Sequence, residues 1–179
     1  DGGIGMLKAL GVRFLDENGE DTGEGGQALA RVAQIDVSGL NPLLKECHIQ
    51  VACDVNNPLC GENGSTYVYG PQKGVTENMK KQLDEDMTHF AMVTSETLGN
   101  DYHDTPGAGA AGGLGFAFLS YIGATLTPGI KLILDAVKLE QELPNTDIVV
   151  TGEGCLDFQT AMGKAPVGVA RLAKKCQAK

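Results

Sequence analysis

Glycine constrains this chain more than any other residue type. The sequence contains 25 glycines in 179 residues, which is about twice the average usage. They follow no fixed period, and this excludes a collagen-like fold. They form clusters instead, and the longest of these covers 107–113, Gly-Ala-Gly-Ala-Ala-Gly-Gly. Because glycine adopts backbone conformations that other residues avoid, such clusters predict loops in which the backbone approaches another group closely.

Short apolar segments between the glycine clusters alternate between strand-like and helix-like patterns. Strands are predicted over 12–15, 48–55 and 147–151. Helices are predicted over 4–10, 25–34, 77–98 and 116–122, from Pro128 onward, and from Pro166 to the C-terminus. The alternation predicts an α/β fold with a mixed sheet and flanking helices. Ligands in such folds usually lie beyond the carboxyl ends of strands.

Three of the predicted helices have an apolar face that we expect to be buried in the core. The three faces are Leu29, Val32 and Ala33; Met79, Leu83, Met87, Phe90 and Val93 with Thr94; and Ile130, Ile133, Leu134 and Val137. The methionines and the phenylalanine on the second face are interpreted as core residues rather than as contacts to a cofactor.

Charge and cysteine content exclude several classes of protein. The net charge of −9 disfavours binding to nucleic acids, although a local site can still bind a small anion. Apolar runs are too short for a membrane span. The five cysteines form no C-x-x-C pair, so we expect reduced thiols in a cytoplasmic protein. A zinc site at Cys47, His48 and Cys53 is conceivable, but buried side chains on a strand are the favoured interpretation.

Two glycine-containing segments could bind an anion. The run at 107–112 matches G-x-G-x-x-G, but no strand precedes it, which argues against a dinucleotide fold. Exposed N–H groups at a helix start could still hold an anion, and close packing against a neighbour is an equally open interpretation. Gly163-Lys164 resembles the end of a P-loop without its first glycine and its final hydroxyl residue.

Three carboxylates follow predicted strands. Asp54 lies at the end of a strand and precedes Asn56-Asn57-Pro58, so it could bind Mg²⁺, deprotonate a hydroxyl, or cap a turn. Glu153 and Asp157 lie four residues apart, and they could hold a metal jointly or cap their loop. The residue patterns alone leave these alternatives open.

Six short motifs, taken together and in order, resemble those of the bacterial glycerate kinase family of the glyoxylate and glucarate pathways. The motifs are Asp1-Gly2-Gly3-Ile4-Gly5-Met6, Cys53-Asp54-Val55-Asn56-Asn57-Pro58-Leu59, Pro71-Gln72-Lys73-Gly74, the 107–113 run, Thr151-Gly152-Glu153-Gly154 and Gly163-Lys164-Ala165-Pro166. Each motif is weak alone, but their shared order is specific and covers the whole chain. One departure is Cys155, which stands where the family usually has arginine.

The resemblance implies a two-domain kinase of which this chain is a central fragment. Residues 1–144 would form most of an inserted α/β domain, and residues 145–179 would form a strand–loop–helix of the second domain. The resemblance further implies transfer of the ATP γ-phosphate to glycerate with Mg²⁺, with the fragment inactive when it is alone. An excised domain exposes apolar surface, so self-association is also expected.

The resemblance also implies roles for particular residues. The catalytic group would be Asp54, Lys73 and Asp157, and the metal ligands would be Asp54 and Glu153. The residues that bind substrate or nucleotide would be Asn57, Gly107, Gly109, Gly112, Gly113, Gly152 and Lys164. Two other functions remain open at this point: an α/β domain that binds a small anion without catalysis, and a dinucleotide-dependent oxidoreductase that rests on the 107–112 glycines alone.

Overall fold

The computed structural model describes residues 1–155 and 164–178, which form two compact units. The first unit is Asp1–Leu126 and the second is Thr127–Lys179. The predicted boundary between residues 144 and 145 concerns the domains of a longer kinase, and it stays a prediction. In the described part of the chain, no helix is both long and apolar enough to cross a membrane.

The first unit combines helices with short strands, so the predicted α/β class is confirmed. Its helices are α1 (Ile4–Ala9), α2 (Ser65–Tyr69), α3 (Glu77–Leu98) and α4 (Ala110–Ala117). Its strands are β1 (Arg13–Leu15), β2 (Gln34–Asp36), β3 (Gln50–Ala52) and β4, which runs over Thr125–Thr127 and ends at the unit boundary. The 3₁₀ helices are Gly26–Arg31, Pro42–Glu46 and Pro71–Lys73, and a π-helical turn covers Phe118–Ile122.

The strands pair in two separate sheets of two strands each. β1 and β2 are antiparallel, with Phe14 opposite Ile35, and β3 pairs with β4. The predicted strand at 48–55 is therefore shorter than expected. Successive residues of this segment nevertheless alternate in burial as predicted, since Val51 and Cys53 are half-buried while Ala52 and Asp54 are exposed.

Three aromatic rings form the centre of the first unit's core. Phe90 on α3 packs against Phe14 on β1 and Phe116 on α4, with ring centroids 5.8 and 5.9 Å apart. Ile4 and Leu7 on α1 are fully buried beside them. Each tilted aromatic pair contributes about 0.5–1.5 kcal/mol beyond the area that it buries. These contacts fix α1, α3 and α4 around β1.

The long helix α3 matches the prediction over 77–98 residue for residue. Thr76 precedes it, and Gly99 ends it with φ at 70°, a conformation that favours glycine. Met87, Phe90 and Thr94 are buried as expected. The core interpretation is wrong at the beginning of the helix, because the side chain of Met79 is 41% exposed.

Two predicted elements take another form in the structure. The helix expected over 25–34 is the 3₁₀ helix Gly26–Arg31, and Ala33 is exposed. The 3₁₀ helix ends before Ala33 because the Ala33 N–H donates to the Leu15 carbonyl at 2.8 Å. This hydrogen bond directs the chain into the β1–β2 sheet. The strand expected over 147–151 is absent, since the described residues place no partner strand beside it.

The second unit is helical in its described residues. It contains α5 (Gly129–Ala136), α6 (Leu139–Glu142), a 3₁₀ helix over Leu143–Asn145, and α7 (Ala165–Lys175). Ile130 of α5 packs against Gly168 of α7, where a Cβ would clash with it. Ile133 and Val137 are 61% and 62% exposed, so the predicted buried face is wrong at these positions.

Candidate functional site

A pocket of about 750 Å³ lies within the first unit. Its walls come from α2, the 70–75 segment, the first half of α3, Asp1 and the turn at Ala111 and Gly112. This volume is within the range of about 300–1,000 Å³ that is typical of sites for small molecules and cofactors. The pocket is therefore the candidate site of the first unit.

One side of the pocket is polar and is built around the short helix α2. Ser65 and Thr66 are buried at the start of this helix, and the Ser65 hydroxyl donates to the Leu59 carbonyl at 3.0 Å. Lys73 lies in the 3₁₀ helix that follows, and its N–H donates to the Gly70 carbonyl at 2.8 Å. Lys73 is exposed, so its ammonium group is accessible to a ligand.

Another part of the pocket lining is apolar. Met79, Leu83 and Met87 are spaced by four residues and present one face of α3 to the pocket. Leu29 and Val75 add further apolar groups to the lining. The methionine side chains are flexible and polarisable, so this wall can adapt to a flat or irregular ligand surface.

Most glycines of the 107–113 run serve close packing. A Cβ on Gly107 would lie 2.8 Å from the Cys53 sulfur, and one on Gly109 would clash with the Pro58 carbonyl oxygen. A Cβ on Gly113 would lie 2.8 Å from the Cα atom of Gly2. The packing interpretation therefore applies to these three glycines, and their roles in ligand binding stay predictions.

Gly112 differs from the other glycines of the run because it borders the pocket. No atom lies within 4 Å of the position that its Cβ would occupy, and its φ is 69°. Ala111, before it, also has a positive φ of 50°, which is uncommon for a residue with a side chain. The Gly112 carbonyl accepts a hydrogen bond from the Gly2 N–H at 3.0 Å. This bond joins the first motif of the sequence to the fourth.

Asp1 connects α1 to the pocket. One of its carboxylate oxygens accepts from the Gly3 N–H at 3.1 Å, and the other accepts from the Gly5 N–H at 3.3 Å. These bonds satisfy backbone donors of the first turn of α1, which have no partner within the helix. Asp1 also borders the pocket, so this carboxylate has a structural role beside the site.

The loop that follows β3 reaches the pocket through Val55, whereas Asp54 is exposed and does not line it. Asn57 donates from Nδ2 to the Asn63 carbonyl at 2.8 Å, and its Oδ1 accepts from the Tyr69 hydroxyl at 2.6 Å. Tyr69 lines the pocket, so Asn57 is connected to the site through it. The catalytic role of Asp54 and the binding role of Asn57 stay predictions.

The remaining predicted residues belong to the second unit. Gly152 and Glu153 lie in the extended segment before residue 155, and Lys164 immediately precedes α7. Asp157 lies outside the described residues. Within the described ranges, no group of three or more His, Cys, Asp or Glu side chains could hold a metal ion. The roles predicted for these residues are not tested by the geometry of the first unit.

A second cavity, of about 190 Å³, lies beside Cys60, Thr88 and His103. Burial raises the pKa of the Cys60 thiol to about 11. The thiol is therefore protonated at neutral pH, and since the thiolate is the nucleophilic form, Cys60 is unsuited to nucleophilic catalysis. All five cysteines are free thiols, which agrees with the expectation from the sequence.

Several pocket residues were missed by the sequence reasoning. Ser65, Thr66 and Tyr69 belong to a five-residue helix that has no apolar periodicity of its own. Met79 and Leu83 were assigned to the core because they share a stripe with buried residues of α3. One feature of the sequence could have indicated that α2 belongs to the site: it lies between two motifs, one ending at Leu59 and the other beginning at Pro71.

Comparison with known proteins gives the same assignment as the motifs. The sequence model described as "Glycerate kinase family" matches residues 1–179. The chain belongs to the glycerate kinase family. It is 51% identical over 174 residues to a glycerate kinase of Bacillus subtilis (strain 168), and 49% identical over 175 residues to a glycerate 2-kinase of Escherichia coli (strain K12).

A solved structure extends this comparison with the glycerate kinase family to the fold. The crystal structure assigned to glycerate kinase 2 of Salmonella typhimurium LT2 matches with a TM-score of 0.93 and 48% identity. The match covers 99% of this chain and 48% of that chain. The two bacterial relatives match over 97% and 98% of this chain and over 46% of their own length. The chain thus spans about half the length of the relatives it matches.

Proposed function

We propose that this chain carries the substrate pocket of a glycerate kinase that transfers the γ-phosphate of ATP to glycerate. One observation supports this most strongly: four of the six family motifs meet at the pocket of about 750 Å³ in the first unit. They contribute Asp1, Val55, Lys73 and Gly112 to its walls. Residues this far apart in sequence converge on one cavity, which is the arrangement expected when they contact the same ligand.

The polar side of the pocket suits the charged parts of such substrates. Phosphoryl transfer requires that the reacting groups be positioned and that their negative charge be neutralised. Lys73 supplies a positive charge for a carboxylate or a phosphate, and Thr66 supplies a hydroxyl that can donate or accept hydrogen bonds. The Ser65 hydroxyl donates to Leu59, so toward a ligand it can only accept. We assign glycerate or the transferred phosphate to this side.

The apolar side of the pocket suits only one of the two substrates. Glycerate has almost no apolar surface, whereas the nucleoside of ATP has a flat ring. We therefore assign the nucleoside to the wall formed by Met79, Leu83 and Met87, with its phosphates directed toward Lys73. A pocket of about 750 Å³ is also larger than glycerate alone requires.

Asp54 of the first unit and Glu153 of the second are each proposed as a carboxylate ligand of Mg²⁺. Mg²⁺ is usually held by one or two carboxylates together with substrate phosphates, so single carboxylates fit this role although no cluster of three is present among the described residues. The ion would neutralise phosphate charge when it is bound. Asp54 is also the proposed base for the glycerate hydroxyl: it does not itself line the pocket, but it directly precedes Val55, which does. Asp157, Gly152 and Lys164 keep their predicted roles, and we place the activity in the cytoplasm.

A coupled assay of ADP release tests the proposed function directly. It uses D-glycerate, ATP and Mg²⁺, with this chain and with the longest protein that the gene encodes. We expect turnover in the longer protein, and we expect none in this chain alone. If neither form releases ADP when glycerate is added, the kinase proposal is wrong and a non-catalytic anion-binding function is favoured.

Lys73→Ala tests the polar side of the pocket in the active form. A hydrogen bond to a charged group contributes about 1.5–3 kcal/mol, so we expect kcat/KM to fall by about 10- to 100-fold. Lys81→Ala is the matched control, because Lys81 is an exposed lysine on the nearby helix α3 and does not line the pocket. Equal kinetics of the two variants would contradict the role assigned to Lys73.

A further inference from the structure

A hydrogen-bonded chain of three side-chain and backbone groups links α2 to the loop after β3. The Tyr69 hydroxyl lies 2.6 Å from Asn57 Oδ1, and Asn57 Nδ2 lies 2.8 Å from the Asn63 carbonyl oxygen. A carbonyl oxygen can only accept, so the amide nitrogen must face Asn63. The amide oxygen then faces Tyr69, and the Tyr69 hydroxyl is the donor.

The backbone of Asn57 is held from the other side by the glycine run. Its carbonyl accepts from the Gly109 N–H at 3.0 Å. Gly109 can approach this closely because it has no Cβ. Asn57 is therefore fixed through its side chain by α2 and through its backbone by the 107–113 run. The same loop contains Val55, which lines the pocket, and Asp54.

Tyr69 belongs to this arrangement and to the pocket wall at the same time. Burial raises the pKa of its hydroxyl, with a further contribution from Cys53. The hydroxyl therefore remains protonated and keeps its proton for the bond to Asn57. Because one residue contacts both the pocket and the loop, a change at its hydroxyl alters the loop while the ring remains in place.

We propose that Tyr69 is a positioning residue: its hydroxyl orients Asn57, and Asn57 holds the loop that carries Asp54 for the phosphoryl transfer. This inference rests on the proposed function, and it gives Asn57 a supporting role in place of direct contact with the substrate. Loss of the hydroxyl should misplace a catalytic group rather than remove a binding contact. A displacement of about 1 Å can lower the rate by about 100-fold.

Tyr69→Phe in the longest protein that the gene encodes provides the test. We expect kcat to fall by about 10-fold or more, with the KM values for ATP and glycerate unchanged, since the ring that lines the pocket is retained. Asn57→Ala should lower kcat at least as much, because it removes the bonds to both Tyr69 and Asn63. The double variant should be no slower than Asn57→Ala, because the Tyr69–Asn57 bond is already lost in that single variant. Tyr67→Phe is the matched control, since it removes a hydroxyl from the same helix outside the pocket lining.

Amide hydrogen exchange gives a second result that does not depend on activity. We expect faster exchange at Gly109, whose N–H bonds to Asn57, in Tyr69→Phe than in Tyr67→Phe. Turnover of Tyr69→Phe equal to that of Tyr67→Phe, or multiplied losses in the double variant, would overturn the proposal. If the unaltered protein does not phosphorylate glycerate, the proposed function fails. Equal exchange rates at Gly109 in Tyr69→Phe and Tyr67→Phe would show separately that Tyr69 does not hold the loop.

Discussion

Replacing Gly109 by alanine separates the packing role of the glycine run from a role in binding an anion. Gly109 has φ at −75°, which alanine adopts without strain. The new methyl group would clash with the Pro58 carbonyl oxygen, and it would lie 3.1 Å from the Pro58 carbonyl carbon and 3.2 Å from the Asn57 carbonyl oxygen. These are backbone atoms, so they cannot rotate away as a side chain would. The loop after β3 would have to move.

The expected loss of stability follows from two opposing effects. Forcing an extra carbon into a packed site costs about 1–3 kcal/mol. Replacing glycine by alanine recovers about 0.4–1 kcal/mol, because the unfolded chain loses freedom. The free energy of unfolding should therefore fall by about 1–2 kcal/mol. For a chain of this length, 1 kcal/mol corresponds to about 2–4 °C, so Tm should fall by several degrees.

Thermal unfolding followed by circular dichroism measures this loss in the 179-residue chain. Gly26→Ala is the matched control for stability, because its backbone is not left-handed and the nearest atom to the added methyl is Leu83 Cδ2 at 3.8 Å. The control should keep its Tm or gain slightly. A Tm for Gly109→Ala equal to that of the control would refute the packing argument and leave the anion-binding interpretation of this glycine in place.

Two further predictions concern the pocket wall and a surface histidine. Met79→Asp should raise the KM for ATP by about 10-fold and leave the KM for glycerate unchanged. Met92→Asp, at an exposed position on the same helix, should change neither KM value. Equal effects of the two variants would contradict the assignment of the apolar wall to the nucleoside. Asp101, and to a lesser extent Asp104, raise the pKa of His103 above its usual value of about 6.5. The stabilisation by His103 should therefore be complete below pH 6.5 and be lost as pH rises through the folded pKa. The measurement is the difference in unfolding free energy between the unaltered protein and His103→Gln at several pH values. A difference that stays constant from acid to alkaline pH would refute this prediction.

The sequence was sufficient for elements whose stability is local. Helix α3 has a repeating apolar face and ends at a glycine, Gly99, and its predicted limits are those of the structure. The strand expected over 147–151 has suitable residues but needs a neighbouring strand for its hydrogen bonds, and the described residues provide none. Ala33 illustrates the same limit, because a bond to Leu15 redirects the chain there.

The candidate site was predictable only in part, because it arises from contacts between distant segments. Lys73 and Gly112 belong to recognisable motifs, and both line the pocket. Tyr69 belongs to no motif, and its importance depends on a hydrogen bond to a residue twelve positions earlier. Met79 fits the apolar stripe of α3 as well as Met87 does. Only the position of α3 in the fold shows that one is 41% exposed while the other is 5% exposed.

The glycine run shows how a sequence pattern can indicate a site without contacting its ligand. A side chain at Gly107 or Gly109 would displace the loop after β3, and one at Gly113 would displace the backbone at Gly2. Gly112 alone of the four has open space beside it. Within the literal G-x-G-x-x-G spacing, Gly107 and Gly109 serve close packing, whereas the third glycine, Gly112, has open space and borders the pocket. No strand immediately precedes the run, so the pattern gives no structural support for a dinucleotide fold. Gly109 packs against the second motif and Gly113 against the first, and these motifs contribute Val55 and Asp1 to the pocket lining. The contribution of these glycines to phosphoryl transfer would then be the placement of other groups.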